Sequence, residues 1–150
     1  MTRLLTGEEL AGHVRNAVPE AVEVWNDWDV VIRSDVVVDV CSYLKETPGL
    51  EFNYLNAISA VDYVEYFEVV YHLTSMIHNH SATLKTRVYG REEASVPSVM
   101  DIWHGADLQE REVWDLMGIQ FKGHHNLKRV LLWDGFPGHP LRKDFLEQIR

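Results

Sequence analysis

Cysteine is nearly absent from this sequence: Cys41 is the only one in 150 residues. A single thiol excludes an internal disulfide, a zinc ribbon and a cysteine-ligated iron–sulfur cluster. Cys41 follows Val37-Val38-Asp39-Val40 with no base beside it, which marks a small core residue rather than a nucleophile. Long apolar runs are missing as well. Val36-Val37-Val38 is typical of the longest, far short of the roughly 20 residues a membrane-spanning helix needs. At the N-terminus Met1–Thr6 runs into Gly7-Glu8-Glu9 before a signal-peptide core forms. The expectation is a chain that stays in the compartment of its synthesis and meets a membrane only through a partner.

Catalytic signatures are also lacking. There is no Gly-x-Ser-x-Gly elbow, no Walker loop and no Gly-x-Gly-x-x-Gly, so independent catalysis has little support. Excess positive charge is absent too: the net charge is −9, which argues against nucleic acid as a partner. That charge is unevenly spread. Residues 1–121 carry 8 Lys and Arg against 20 Asp and Glu, whereas residues 122–150 carry 6 against 3. An acidic body with a basic tail fits a tail that meets something acidic, although a short window also clusters by chance.

What is present reads as one globular domain, 46% hydrophobic and 25% charged. Thr6 and Glu9 form a capping box, Leu10, Val14, Ala17 and Val18 make an apolar stripe, and Pro19 ends the helix. Residues 21–25 and 28–32 suit a hairpin turned by Asn26-Asp27. Ser34 is the expected N-cap of a helix carrying Val36, Val37, Val40, Cys41 and Leu44, closed by Pro48-Gly49, with periodicity outweighing β-branched propensity. Strands are expected at 52–61, 66–75 and 82–89, the alternation being clearest in Phe67–Leu73, with short antiparallel connections.

Residues 90–96 read as a polar loop, and Ser98 as the cap of a short helix through Trp103. Asp107 and Glu110 make a second capping box for a helix over 108–117, ended by Gly118. Ile119–Phe121 suits a short strand. Beyond it, residues 122–150 form an extended basic tail of the same domain (1–121) rather than a second one. The fold class is α+β: helices on one face of a mixed, largely antiparallel sheet, plus the extended C-terminal tail. Rich in glycine and proline, the tail is expected to be poorly protected in the free chain and to order against a partner.

Eight histidines invite a metal reading. His78 and His80 share one side of a strand, but no third ligand lies near them in sequence, and adjacent His124 and His125 diverge in an extended chain. A stand-alone metalloenzyme using His78, His80, His124 or His139 is therefore the minor alternative. Glu110 and Glu112, two apart on a helix, point to different faces and form no acid–base pair. Arg111 and Asp115, at i and i+4, are spaced to pair along the helix surface.

The stretch Glu110-Arg111-Glu112, then Asp115-Leu116, Gly118-Ile119, Phe121 and Gly123-His124, strongly resembles the signature of the 30 kDa-type subunit of respiratory complex I. In bacteria this is the C subunit of NADH-quinone oxidoreductase. The signature's second half stands at Leu127, Arg129 and Leu131, then Gly138-His139-Pro140-Leu141-Arg142-Lys143-Asp144-Phe145. Upstream, Val61-Asp62-Tyr63, Val69–Leu73 and Val96-Pro97-Ser98-Val99 also match.

The resemblance implies a non-catalytic subunit of the peripheral arm, which docks through these signature residues beside the 49 kDa-type D subunit and near the B and I subunits. It also implies that the chain holds no cofactor, with FMN, iron–sulfur clusters, NADH and quinone in other subunits of a proton-translocating complex. Such a chain belongs at the cytoplasmic face of the membrane and touches it only through the complex. Related membrane-bound hydrogenases and F420H2 or ferredoxin dehydrogenases contain the same domain, so the electron donor is left open.

Overall fold

The computed structural model describes residues 2–148. Its first helix, α1 (Gly7–Ala17), starts as the capping box requires: Thr6 Oγ1 accepts from the Glu9 amide at 3.1 Å, and the Glu9 carboxylate accepts from the Thr6 amide at 3.4 Å. Gly7 is needed for packing. A Cβ there would stand 1.8 Å from the Asn26 carbonyl oxygen, so only glycine lets the helix start press on the hairpin turn. That hairpin joins β2 (Val22–Trp25) to β3 (Val30–Ile32). Its turn is fixed by Asn26 Oδ1, which accepts the amides of Trp28 and Asp29 at 2.7 and 3.0 Å.

Helix α2 (Val37–Glu46) buries Val37, Val40, Cys41 and Leu44. Periodicity therefore prevails over the β preference of the valines. Ser34 does not cap it: the residue lies in a 3₁₀ turn over Ser34–Val36, and α2 begins with no side-chain cap. The three long strands follow as β4 (Tyr54–Asp62), β5 (Phe67–Ser75) and β6 (His80–Val88). They are antiparallel neighbours, as the short connections demand.

The sheet runs β2-β3-β6-β5-β4, and β3 pairs parallel to β6. A two-residue strand, β1 (Arg3–Leu4), pairs parallel with the start of β6. Inward residues of the central strand β6 are all buried: His80, Ala82, Leu84, Thr86 and Val88. With Tyr71, Val69, Ile32 and Val30 they form the core, which Leu10, Val14, Val40 and Leu44 of the two helices complete. The other sheet face carries charge instead, with Lys85 2.9 Å from Asp29 and 3.4 Å from Glu68.

Helix α3 (Ala106–Met117) lies along the edge strand β4, where Gln109 Oε1 accepts the Ile58 amide. Two further strands, β7 (Ser95–Pro97) and β8 (Gln120–Lys122), pair in parallel. Residues 95 and 96 are therefore strand, not loop: their partner is 25 positions away and leaves no local signature. Residues 98–103 form turns rather than a helix: Val99 O takes the Ile102 and Trp103 amides without the run continuing, and the Ser98 hydroxyl accepts the Met100 amide while donating to Glu110. The tail then runs without regular structure to a last short helix, α4 (Phe145–Gln148).

Leu84 is fully buried at the centre of the middle strand. Leu84→Ala is expected to cost about 2–5 kcal/mol in urea unfolding, well above what an exposed strand position would give.

Candidate functional site

The signature residues gather where α3, β8 and the tail meet. Helix α3 has no side-chain cap at Gly105, so the expected Asp107–Glu110 box does not form. Glu110 instead turns inward and is fully buried, accepting from Ser98 Oγ at 2.5 Å and the Val99 amide at 2.9 Å. Burial pushes its carboxyl above the ordinary value, against the pull of those two donors. Its role is to tie the segment after β7 to α3.

Asp115 holds the tail. Its side chain is fully buried, and Oδ2 accepts the amides of Val130, Leu131 and Leu132 at 3.2, 2.8 and 3.0 Å. Oδ1 takes Arg129 Nη1 at 2.8 Å. Burial by itself would raise this carboxyl, but Arg129 and the amides of Leu132, Leu131 and Val130 outweigh it and hold the group below the usual range. Arg129 also donates to the carbonyls of Asp115, Phe136 and Gly138 at 3.0, 2.8 and 3.0 Å, while its guanidinium lies 5.4 Å from the Trp114 ring centre. One fork thus closes the whole loop from 129 to 138.

The expected pairing of Arg111 with Asp115 is not made. Arg111 donates to the carbonyls of Lys128 and Arg129 at 3.2 and 3.1 Å. Both ends of the i, i+4 pair are taken by the tail, whose carbonyls and amides lack strand or helix partners of their own.

The second motif half is anchored just as closely. His139 Nδ1 donates to the Asp115 carbonyl at 2.9 Å, which sets its tautomer, and the Leu141 amide donates to Leu116 O at 2.9 Å. Gly118 ends α3 at φ 77°, and a Cβ there would meet His139 Cδ2 at 2.8 Å. The helix stop and the tail's close approach thus need the same glycine. Desolvation, with the nearby Arg129 and Arg142 charges, lowers the His139 pKa.

Asp144 accepts from Arg142 at 2.8 and 3.0 Å and from Arg91 at 3.2 Å. Arg91 in turn forks onto Asp62 at 2.8 and 2.6 Å, and Asp62 also accepts the Lys143 amide at 2.9 Å. Arg91 and Arg142 both lie over the Phe67 ring, 4.8 and 5.1 Å from its centre. Arg142 first and Arg91 after it hold the Asp144 carboxyl down to about 2. Arg91, placed in a polar loop by sequence, is thus the missed member of the site; its partners lie 29 and 53 positions away.

The remaining signature residues divide into supports and surface. Phe121 is buried in β8 and Leu127 packs against the core. Gly123 turns at φ 89°. His124 donates from Nε2 to the Asp107 carbonyl at 3.0 Å, and its Nδ1 accepts the Asn126 amide at 3.0 Å. Gly138 lends its carbonyl to Arg129, and Pro140 is half-buried beside it. Glu112, Leu141 and Lys143 are exposed. Glu92 and Gln120 line an open cleft of about 600 Å³ together with Trp114, Gly118, His139, Arg142 and Asp144.

The histidines do not converge on one site. His78 and His80 stack with ring centres 5.6 Å apart, but His78 contacts Glu51 at 3.0 Å and His80 the Leu50 carbonyl at 3.0 Å, while His124 and His139 contact separate parts of α3. Among the described residues no three His, Cys, Asp or Glu are placed to hold a metal. Cys41 is buried, and that burial pushes its thiol up, away from the reactive thiolate.

Residues 30–149 match the family model described as the respiratory-chain NADH dehydrogenase, 30 Kd subunit. The chain belongs to that family. Among its relatives, the NADH-quinone oxidoreductase C subunit of Roseiflexus sp. (strain RS-1) is 41% identical over 87% of this chain and 79% of its own length. The C subunit of Roseiflexus castenholzii is 39% identical over 93% and 84%. The C 2 subunit of Rhizobium meliloti is 44% identical over 76% of this chain but only 63% of its own length. A chain in the structure of the membrane-bound sulfane sulfur reductase, an archaeal respiratory membrane complex, superposes with a TM-score of 0.73 at 30% identity, covering 93% of this chain and 85% of that one.

The span shared with the 30 Kd family model contains every residue of the Asp115 network and of the Asp62–Arg91–Asp144–Arg142 ladder. Removing the Asp115 carboxylate would leave Arg129 half-buried and three amides without their acceptor. Asp115→Ala is therefore expected to cost about 3–5 kcal/mol in urea unfolding.

The pH dependence follows from the same groups. His139 has a lowered folded pKa, so protons favour the unfolded chain and stability declines as pH falls below the ordinary 6.5. Asp115 and Asp144 are depressed, so the contribution of each is complete above about 3.8 and is lost at lower pH, that of Asp144 as pH falls towards about 2. Thermal melts across pH 8 to 2 are expected to show both declines, the first one absent in His139→Gln.

Proposed function

We propose that this chain is a non-catalytic docking subunit in the peripheral arm of a proton-translocating NADH-quinone oxidoreductase, packed beside the 49 kDa-type D subunit with the B and I subunits nearby. The observation that carries the reading is the division of labour in the tail. Its polar groups are held by the chain's own domain, while Leu131, Trp133, Leu141 and Leu146 stand 59–68% exposed. Large apolar side chains held out on an ordered ribbon are what a protein interface uses as anchors.

The chemistry of the reaction then lies elsewhere. FMN, the iron–sulfur clusters, NADH and quinone belong to other subunits in this reading, and this chain supplies shape. Among the described residues no helix is long and apolar enough to cross a membrane. In this reading the chain sits at the cytoplasmic face and touches the membrane only through the complex.

A second reading has its own support. The structural likeness to a chain of the archaeal sulfane sulfur reductase complex, at 30% identity, favours an equivalent place in a related membrane-bound enzyme with another electron donor. The same docking surface serves both, and the partners that co-purify distinguish them.

Trp133 is 66% exposed, so its truncation should leave the free chain folded. Trp133→Ala is expected to weaken capture of the partner subunits from solubilised membranes by about 2 kcal/mol, roughly thirtyfold. Unchanged capture by this variant and by Leu131→Ala would remove the reading.

A further inference from the structure

The hairpin tip between β4 and β5 is built against its own backbone preferences. Val64 sits at φ 73°, a left-handed conformation that a β-branched residue adopts only under constraint. Two groups impose it. Asp62 Oδ1 accepts the Val64 amide at 2.8 Å, and Arg91 Nη1 donates to the Val64 carbonyl at 2.8 Å. Asp62 and Arg91, which fasten the tail's end by accepting the Lys143 amide and pairing with Asp144, thus also lock this tip.

The locked tip presents apolar and aromatic surface to solvent. Tyr63, Val64 and Tyr89 are 47, 56 and 61% exposed. Tyr63, Tyr66 and Tyr89 lie in a row, ring centres 5.4 and 5.6 Å apart and ring planes tilted by 41° and 52°. The Arg87 guanidinium already lies 4.9 Å from the centre of Tyr66, so the row is chemically suited to a stacked guanidinium.

Its uncompensated charge is negative. The cations of the region are engaged, Arg87 with Glu68 and Arg91 with Asp62 and Asp144. Glu65, Glu92 and Glu93 are exposed and make no ion pair among the described residues. Even with the exposed Lys143 counted, whose amide bonds Asp62, carboxylates predominate.

We infer that this tyrosine row and its glutamate rim form a second docking surface, one that receives a basic, arginine- and lysine-bearing segment of a partner subunit. The inference rests on the docking reading above and adds to it a separate surface with opposite chemistry to the tail's apolar anchors. Guanidinium groups stack on the rings while the rim supplies the counter-charge, and surrounding carboxylates steer the approach.

The test uses the assembled complex in its own membranes. Zero-length carbodiimide coupling of wild type is expected to join Glu65, Glu92 or Glu93 to lysines of one partner segment. The Glu65→Lys/Glu93→Lys chain is expected to yield about tenfold less assembled complex, with an unchanged melting temperature when free. Tyr63→Ala/Tyr89→Ala, truncating two exposed rings, provides the uncharged counterpart. No cross-link, together with wild-type assembly of the charge-reversed chain, overturns the inference. Trp133→Ala run in parallel separates the two claims. If it alone loses assembly, the docking reading stands and this second surface falls; if none of the variants loses assembly, both fall.

Discussion

A single buried carboxylate organises the functional end of this molecule. Asp115 has no exposed side-chain surface, yet four donors, three backbone amides and one guanidinium, converge on it. An ionised group can be held out of water only when its lone pairs are filled in this way. Because the donors all come from residues 129–132, filling them fixes the path of the tail. Arg129 then carries the constraint on to residues 136 and 138. The sheet positions α3, α3 positions Asp115, and Asp115 positions residues 129–138, while Asp62 and Arg91 fasten residues 143 and 144.

The elements written in local chemistry were legible in the sequence. Thr6 and Glu9 mark the start of α1 because both partners of the capping box lie within one turn. Phe67–Leu73 forms the strand that its alternation of residue types marks, although Glu68 and Val70 on the second face are buried too, and Gly118 marks the end of α3 because the left-handed turn favours glycine. Where local rules competed with distant partners, the distant partners won. Glu110 has the spacing of a cap residue but is drawn inward to Ser98 and Val99. Arg111 has the spacing to reach Asp115 but serves carbonyls 17 and 18 residues on. Ser95 and Val96 look like loop until β8 arrives beside them.

The same distinction applies to the site. The signature named residues without saying what they touch. Much of its charge faces inward: Asp115, Arg129, Arg142 and Asp144 are occupied in holding the tail to the domain. The surface left for other proteins is then largely apolar at Leu131, Trp133, Leu141 and Leu146, and aromatic with an acidic rim at the β4–β5 tip. A tail expected to await a partner before ordering is instead tied down by the chain's own hydrogen bonds. A pre-ordered ribbon loses less conformational entropy on association than a flexible one, which suits the proposed docking role.

The central claim, that Asp115 makes the tail a fixed part of the domain, is tested most directly by hydrogen exchange on the free chain at neutral pH. The amides of Val130, Leu131 and Leu132 are predicted to exchange far more slowly than the unstructured-chain rate, despite belonging to no helix or strand. Exchange of these three amides at that rate, while the amides of β5 and β6 remain protected, would contradict it.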